Sequence, residues 1–524
     1  MRHAISVTRL AVALLLASTS PLWITAQDLD QHHHKPRYRL VDVGTLGGPN
    51  SFVTPFNNNL NKFRPLLTNC ADTAKLDPDF PDNDNPLLAA PYIQHAYHWS
   101  SGRLTDLGSL RGGTSSCGQG INVFGSVAGL STNGSIDPLT GIPEVDAVLW
   151  RQREIINLGT LGGNNSFAVG INDRGQIIGN ANNYIPDPFA GVLAPLGATQ
   201  MHAFLWEDGA MQDLGTLGGP DSIALYMNER GEVAGGSLTN STPNATTGIP
   251  TIDPFLWSHG TMHDIGTLGG TIGFPTAVNS RGQVVGGSNL AGDQTVHPFL
   301  WDRGKLRDLG TLGGSYGEAD GMNDDGVVVG FADVAGDSHV DAFLWENGKM
   351  KDLGNPGCDS SAAAINPRKQ AVGTGHLAGC STFHAMLYQE GNVYDLNDLI
   401  PSGSNLVLRQ AWYINEEGVI AGNATLSACN DPSGCVHAFL LFPCDGWSKC
   451  ENDVQSATAT QDSLPDRDSA APSFGQDPQA GEFRDRQILL IQRRGHTSQW
   501  DAGFQSVLPS RSAAAQWRAI NSNE

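Results

Sequence analysis

The sequence predicts an all-β protein, a β-propeller of eight four-stranded blades closed by pairing its N-terminal strand with the last blade. A unit with a fixed order of short apolar segments and turns recurs from residue 38 to residue 442. The chain has 63 glycines and no long stretch with the 3.6-residue period of a helix. Such repetition indicates one large domain of similar units. A seven-bladed ring, with the first unit outside it, is the structural alternative.

The N-terminal segment has the pattern of a secretory signal. Residues 1–26 carry two arginines, the apolar run Leu10–Ala17 and a cleavage site at Ile24-Thr25-Ala26. That run is too short to cross a membrane, and no later stretch reaches about 18 uninterrupted apolar residues. We therefore expect a mature chain without a membrane span, secreted or periplasmic, with residues 27–37 as a flexible leader. An uncleaved membrane anchor is the alternative.

The chain is strongly acidic, with a formal net charge of −22 at pH 7. Removal of residues 1–26 takes away two arginines and no acid, so 29 basic side chains face 53 acidic ones in the mature chain. Nucleic acids and anionic membranes require a basic patch, so this charge argues against both as partners. The charge is compatible with bound Ca²⁺ or a cationic ligand, although solubility alone explains it.

Eight cysteines in an exported chain predict up to four disulfides. None of them lies in a CxxC pair, which argues against a metal cluster. The spacing favours the pairs Cys70–Cys117, Cys358–Cys380, Cys429–Cys435 and Cys444–Cys450. The chain-entropy model assigns about 4 kcal/mol to the first of these rings and about 2 kcal/mol to the small third ring.

Two blocks define the repeat and occur eight times each. One is a corner of the type Asp-Leu-Gly, at 42–44, 106–108, 157–159, 213–215, 264–266, 308–310, 352–354 and 395–397. The other is an apolar five of the type HAFLW, at 95–99, 146–150, 202–206, 253–257, 297–301, 341–345, 384–388 and 437–441. Two more strands lie between them, joined by turns such as 172–175 that place Asn first and Gly fourth, as a type I turn prefers. Each unit therefore has four strands.

The apolar five has apolar residues on both faces, as in His202–Trp206, so it must be covered on both sides. Blades packed around an axis provide this cover, whereas a two-layer sandwich leaves one face of each sheet in water. The first corner strand, Arg39–Leu46, has no apolar five before it, and the last five, His437–Leu441, has no corner after it. Together they complete one blade and close the ring.

Most positions that recur in every repeat favour scaffold roles. We call the first residue of each apolar five its head. The head is a histidine in five units and an aspartate in three: His95, His202, His297, His384, His437, Asp146, Asp253 and Asp341. Because these heads lie on separate blades away from the axis, they predict a repeated local hydrogen bond rather than a metal site. The six tryptophans from Trp99 to Trp345 predict packing between blades. The corner lacks the spacing of a nucleotide-binding loop, and no catalytic motif stands out.

The variable loops are the candidate ligand-binding residues, because function concentrates in such loops on a rigid scaffold. These loops are 70–94, 130–145, 180–201 and 237–252. In the first, Asp77, Asp79, Asp82 and Asp84 form an oxygen-rich cluster that is a candidate for Ca²⁺, with a solvated acidic loop as the alternative. No other cofactor is predicted. Residues 443–524 shift to Ser, Ala, Gln, Asp and Pro without a repeat, which predicts a disordered tail.

The blocks HAFLW, DLGTLGG and IN-x-x-G-x-V-x-G resemble the bacterial extracellular repeat family named after its His-Ala-Phe triplet, the HAF repeat. The resemblance covers Tyr38–Phe442 and departs from the pattern at Asn355-Pro356-Gly357, at Tyr388, at the last corner and between Asn50 and Ser100. It implies export and a repeat fold, and it carries no catalytic residues over to this chain.

The sequence favours a monomeric, non-enzymatic scaffold that binds an extracellular glycan or protein through long loops on one propeller face. The alternative is a propeller hydrolase or lyase acting on extracellular polysaccharide, with carboxylates near the axis. Convergent acids in an axial pocket would favour the enzyme.

Overall fold

A computed structural model describes residues 35–55, 58–78, 91–193, 198–245, 247–429 and 435–444. The described residues from Arg37 to Cys444 belong to one compact unit. The predicted signal peptide and the predicted tail from residue 445 lie outside the described residues, so both stay predictions. No helix in the described part of the chain has the length and hydropathy needed to cross a membrane.

The described residues form 32 strands and one 3₁₀ helix, Leu396–Leu399. The first sixteen strands are β1 Tyr38–Asp42, β2 Gly47–Ser51, β3 Leu67–Leu76, β4 Tyr92–Ser100, β5 Arg103–Asp106, β6 Ser116–Ile121, β7 Val127–Ile136, β8 Pro143–Arg151, β9 Glu154–Gly159, β10 Ser166–Ile171, β11 Ile177–Pro186, β12 Thr199–Glu207, β13 Ala210–Asp213, β14 Ser222–Met227, β15 Val233–Leu238 and β16 Ile252–Ser258. The others are β17 Thr261–Asp264, β18 Gly269–Val278, β19 Val284–Leu290, β20 Val296–Asp302, β21 Lys305–Asp308, β22 Gly313–Met322, β23 Val328–Val334, β24 Val340–Glu346, β25 Lys349–Gly354, β26 Gly357–Ile365, β27 Ala371–Leu377, β28 Phe383–Gln389, β29 Asn392–Asp395, β30 Leu406–Ile414, β31 Ile420–Leu426 and β32 Val436–Pro443.

These strands pair into sets of four antiparallel neighbours, which we number units 1 to 8 along the chain. Unit 1 is β2–β5, each following unit takes the next four strands, and unit 8 combines β30, β31 and β32 with β1. Single parallel bridges between β16 and β18 and between β20 and β22 join units 4 to 6 into one twelve-stranded sheet. The N-terminal strand β1 pairs with β32 from Tyr38 opposite Pro443 to Asp42 opposite Phe439. The predicted closure by the N-terminal strand is confirmed.

The units follow one another around an axis. The first strand of each unit from β6 to β30 packs against the second strand of the unit before it, and β2 packs against β32. Unit 1, which the alternative places outside the ring, forms a four-stranded sheet of its own and contacts both unit 2 and unit 8. The predicted class, an all-β propeller, is confirmed by this arrangement.

The apolar fives fill the space between neighbouring units from both sides. In β12, Phe204 and Trp206 belong to the apolar cluster shared with unit 2, whereas Ala203 and Leu205 belong to the cluster shared with unit 4. Phe204 is fully buried, and a Cβ added to Gly179 on the adjacent strand would lie 2.5 Å from its ring. Gly179 and its counterpart in unit 4, Gly235, therefore leave room for the rings of Phe204 and Phe255.

Three of the predicted disulfides are present among the described residues. Cys70–Cys117 joins β3 of unit 1 to β6 of unit 2, Cys358–Cys380 lies within unit 7, and Cys429–Cys435 closes the loop before β32. Cys444 is also disulfide-bonded, but its predicted partner Cys450 lies outside the described residues. The first bond is the one that links two units covalently.

A ring of asparagine side chains connects all eight units. The asparagine that opens each inner turn accepts backbone N–H bonds from its own turn through Oδ1, as Asn279 does from Arg281 and Gln283. Its Nδ2 donates to a backbone carbonyl of the next unit at 2.9–3.5 Å. The bonds run Asn122 to Asn172, then to Asn228, Asn279, Asn323, Asn366, Asn415 and Asn61, which donates to Ile121. We call this ring the asparagine belt; its members are at most 5% exposed.

The belt predicts that each member contributes to stability in two separable ways. Asn279→Ala removes both the turn cap and the donor, so we expect a loss of about 1–3 kcal/mol of unfolding free energy, the typical cost of unpaired buried polar groups. Asn279→Asp keeps the acceptor and loses only the donor, so at neutral pH it should also destabilise the protein. Urea unfolding of both variants measures this, with the exposed Thr261→Ala as the control. Unchanged midpoints for both Asn279 variants would contradict the role of the belt.

Candidate functional site

The heads of the apolar fives bond locally, as predicted, and the structure shows their partners. Each histidine head places Nδ1 2.6–3.0 Å from a corner aspartate: His95 with Asp106, His202 with Asp213, His297 with Asp308, His384 with Asp395 and His437 with Asp42. Burial lowers the pKa of His202, but the hydrogen bond and charge of Asp213 outweigh burial, so the net pKa is raised. These pairs hold the third strand to the fourth, or in unit 8 to β1, so they are scaffold.

Two aspartate heads have an amide partner instead. Nδ2 of Asn157, which replaces the corner aspartate in unit 2, donates to Asp146 at 2.6 Å. Nδ2 of Asn355, where the sequence departs from the repeat, donates to Asp341 at 2.6 Å. Both departures were visible in the sequence, and each supplies the donor that the missing histidine would have provided.

The third aspartate head, Asp253, faces the corner aspartate Asp264 with no such donor. Its Oδ1 is buried without a hydrogen-bond partner. Burial and the charge of Asp264 raise the pKa of Asp253 to about 7. The predicted local hydrogen bond therefore lacks a donor in unit 4 unless one of the two carboxyl groups carries a proton.

The six tryptophans pack inside the protein, as predicted. Trp99, Trp150, Trp206, Trp257 and Trp345 are buried in the clusters between units, and Trp301 packs partly buried against another cluster. They therefore offer no exposed aromatic row for a sugar.

The predicted loops lie where second strands lead into third strands, which is one face of the propeller. The second strands β3, β7 and β11 each have ten residues, whereas β19, β23, β27 and β31 each have seven. Their extra length projects from this face. We call these projections, residues 73–78, 133–141 and 183–191, the arms of units 1, 2 and 3. Residues 79–90, 194–197 and 246 of the predicted loops lie outside the described residues.

The arms carry exposed apolar side chains. Leu76, Ile136, Leu139, Tyr184 and Ile185 are 41–77% exposed, and they are five of the seven large apolar residues that are exposed in the described part of the chain. Isolated exposed apolar residues are ordinary, but their concentration on one face marks an interaction surface.

The bases of the same loops are buried rather than exposed. Val192 and Leu193 of unit 3 pack with Ile142 of unit 2 and Ile249 of unit 4 in one apolar cluster. This cluster also contains Ile223 from an inner strand, so the loops cover that end of the axis. The predicted binding loops therefore divide into a buried base and exposed arms.

Each arm is tied to the next unit by the aspartate of an Asp-Pro pair. Asp77 accepts a hydrogen bond from Ser115 Oγ at 2.9 Å, and Asp137 accepts one from Asn165 Nδ2 at 3.1 Å. Asp77 is 2% exposed, so it lies inside the protein rather than in a solvated acidic loop. The other calcium candidates, Asp79, Asp82 and Asp84, lie outside the described residues, and Ca²⁺ stays a prediction. The described residues contain no group of three His, Cys, Asp or Glu that could hold a metal.

The tie of the third arm differs from the other two because both partners are acids. Asp187 faces Asp221, whose Oδ1 accepts from the backbone N–H of Met201 at 2.9 Å. The Oδ2 atoms of both aspartates are buried without a hydrogen-bond partner. Burial and the charge of Asp187 raise the pKa of Asp221 to about 7, and burial raises the pKa of Asp187. The third tie therefore requires a shared proton.

A cavity of about 200 Å³ lies on the axis and is lined by the inner strands of units 3 to 8 and by Pro55 and Asn58 of unit 1. Asp320 is the one charged side chain among its described lining residues. Glu318, two positions earlier on β22, is 4% exposed and is not part of the lining. Burial raises the pKa of Glu318 to about 8, and burial together with Glu318 raises the pKa of Asp320. Sequence reasoning missed this pair. The pair can be recognised by aligning the repeats, because unit 6 has Glu318 and Asp320 where unit 5 has Phe274 and Thr276.

No family model and no curated protein matches the sequence. The chain is similar to the β-propeller domain of the trilobed protease from Pyrococcus furiosus, with a TM-score of 0.37, 8% identity and coverage of 70% of this chain and 99% of that one. It is also similar to an acylaminoacyl peptidase of Pyrococcus horikoshii, with a TM-score of 0.36, 9% identity and coverage of 74% of this chain and 57% of that one. At this level of similarity, the activities of those proteins do not carry over to this chain.

The third tie predicts a pH-dependent stability that Asp221→Asn removes. Because its pKa is raised on folding, Asp221 contributes stability that is present at low pH and is lost as pH rises through about 7. The new amide would supply the donor that Asn165 supplies to the arm of unit 2, so the variant should be more stable than the native chain at pH 8 by about 1–3 kcal/mol. Thermal melts at pH values from about 5 to about 8, where most proteins are stable, measure the melting temperature of each variant as a function of pH. Asn165→Asp is the mirror variant and should introduce the same pH dependence; identical melting profiles for all three proteins would refute the shared proton.

A second substitution separates the acid pair of unit 4 from the histidine pairs. Asp264→Asn reproduces the arrangement of Asp146 with Asn157, so it should stabilise the protein above pH 7, where Asp253 otherwise loses its proton. Asp308→Asn, in a unit whose head is His297, is the matched control and should give no gain. Urea unfolding at pH 8 measures both, and a loss of stability in Asp264→Asn would contradict the assignment.

Proposed function

We propose that this is an exported scaffold protein that binds a protein ligand through the arms of units 1, 2 and 3. The observation that carries the proposal is the concentration of five exposed apolar side chains on these arms. Surfaces of this kind lose water on association and are typical of protein interaction sites.

The chemistry of the arms favours a protein over a glycan. Four of the five exposed side chains are aliphatic, and only Tyr184 offers an aromatic face for a sugar ring. The tryptophans that could extend an aromatic platform are buried between units. Aliphatic side chains complement apolar side chains of another protein, whereas glycan hydroxyls need polar partners.

The scaffold holds the arms in place before a ligand arrives. Asp77 and Asp137 tie two arms to the following units, and Cys70–Cys117 joins the strand that carries the first arm to unit 2. A preorganised surface loses less conformational entropy on binding, which leaves more of the contact energy for affinity.

Disulfides support the exported location. The three bonds among the described residues are typical of oxidising compartments such as the extracellular space and the periplasm. The predicted signal pattern in residues 1–26 is independent support for the same compartment.

The enzymatic alternative has weaker support from the axis. Glycoside hydrolysis of the usual kind needs two carboxyl groups on opposite sides of the scissile bond. The described cavity lining has one, Asp320, and its neighbour Glu318 is buried on the same strand. Binding through the arms is therefore the function that the structure supports best.

The proposal predicts that the arms are required for ligand capture and not for folding. Cross-linking in culture medium should capture partner proteins with the native chain, but not with the triple variant Ile136→Ser, Leu139→Ser, Tyr184→Ser. The melting temperature of the variant should change little, because the three side chains are exposed. Phe124→Ser is the matched control, because Phe124 is exposed on an inner turn away from the arms. Equal loss with Phe124→Ser, undiminished capture by the triple variant, or binding on a glycan array alone would overturn the proposal.

A further inference from the structure

The axial cavity contains a carboxylate without a counter-charge. Asp320 lines the cavity, accepts no hydrogen bond from the described residues and is partly exposed to the cavity. No Lys, Arg or His is present among the described lining residues. Burial and the neighbouring acid Glu318 raise the pKa of Asp320, so the cavity favours its protonated form. A cationic ligand would supply the missing counter-charge and stabilise the carboxylate form of Asp320.

Aromatic side chains line the same cavity. Tyr226, Trp412 and Tyr413 lie on the inner strands of units 4 and 8, and the Tyr413 hydroxyl is held by the carbonyl of Thr54 at 2.7 Å. Aromatic rings attract organic cations through the negative potential of their faces. Aliphatic side chains of the wall include Ile171, Met227, Val278, Met322 and Ile365, which lie near the asparagine belt.

The mouth of the cavity on the belt side is acidic. The second residue of the inner turn is Asp173, Glu229, Asp324 or Glu416 in units 3, 4, 6 and 8. Asp173, Glu229 and Asp324 each use one oxygen to accept the backbone N–H of the preceding turn, which is a structural role. Lys62 and Arg174 offset part of this charge at Glu229, and the remaining negative charge would raise the local concentration of cations.

An ammonium group of the protein itself occupies this mouth. Lys62, in the inner turn of unit 1, places Nζ 2.7 Å from Asp324 Oδ2 in unit 6 and 3.6 Å from Glu416 Oε1 in unit 8. Units 1 and 6 are not neighbours in the ring, so the side chain crosses the opening. Burial lowers the pKa of Lys62, but Asp324 outweighs it and the net pKa is raised. The mouth thus already binds one alkylammonium group, which is the end of the Lys62 side chain.

We propose that the axial cavity is a binding site for a small alkylammonium ion, which enters through the acidic mouth by displacing Lys62 and pairs with Asp320. This site is separate from the arms, so it adds a second ligand to the proposed function. A cavity of about 150 Å³ holds a benzene ring, so the 200 Å³ here accommodates a molecule of the size of choline.

The lining discriminates against the other candidate ligands. Ca²⁺ takes six to eight oxygen ligands, and the described lining is mainly aliphatic and aromatic around one carboxylate. A neutral sugar would supply no counter-charge for Asp320. An alkylammonium ion matches both the charge of Asp320 and the apolar surface around it.

Calorimetry with choline and with tetramethylammonium tests the site in the full mature chain. We expect both cations to bind and to raise the melting temperature, whereas the neutral isostere 3,3-dimethyl-1-butanol should bind at least about tenfold more weakly. Asp320→Asn should lower the affinity for choline by about tenfold or more, because it removes the pairing charge. Asp325→Asn, an exposed acid on the turn next to the mouth, should leave the affinity unchanged.

Lys62→Met opens the mouth and should bind choline as tightly as the native chain or more tightly. Melting curves of each variant without ligand show whether it folds, and Asp320→Asn should not lower the melting temperature because Asp320 has no hydrogen bond to lose. The proposal is overturned by absence of choline binding in the millimolar range, by equal binding of the neutral isostere, or by undiminished binding in Asp320→Asn. Capture by the arms is measured separately and is not affected by these outcomes.

Discussion

The asparagine belt is the interaction on which the rest of the structure depends. Each belt asparagine caps its own turn and donates to the next unit, so the position of every unit is set by the one before it. The bond from Asn415 to Asn61 joins unit 8 to unit 1, where the ring closes. Because the belt surrounds one end of the axial cavity, the same bonds that hold the ring together also fix the shape of the opening that Lys62 crosses.

Departures from the repeat fall into two physical classes. Asn157 and Asn355 replace the usual corner residues where the head is an aspartate, and each restores the lost donor. Asp221 and Asp253 create acid pairs without such a donor, and both lie in unit 4. Unit 4 therefore depends on two shared protons near neutral pH. Since Asp187 belongs to the third arm, this dependence reaches the proposed binding face.

Sequence reasoning located the long-loop face but not the way its residues are used. It placed Val192 and Leu193 in a candidate binding loop, where the structure buries them over the axis. It treated Asp77 as part of an acidic loop, where the structure bonds it to Ser115. Burial of a loop residue depends on which neighbouring loops reach it, and Ile142 and Ile249 come from other units. Loop lengths alone carry no such information.

The sequence by itself determined the all-β class, the four strands of each unit and the closure by the N-terminal strand, because these follow from local periodicity and from the circular shift of the repeat. Disulfide spacing was also informative for short rings. Only the tertiary structure decided what meets at the axis, since Asp320, Tyr226 and Tyr413 are brought together from separate units by ring closure. Residues of different repeats carry no mark in the sequence that says they face one another, so function at the axis is determined by the assembled ring.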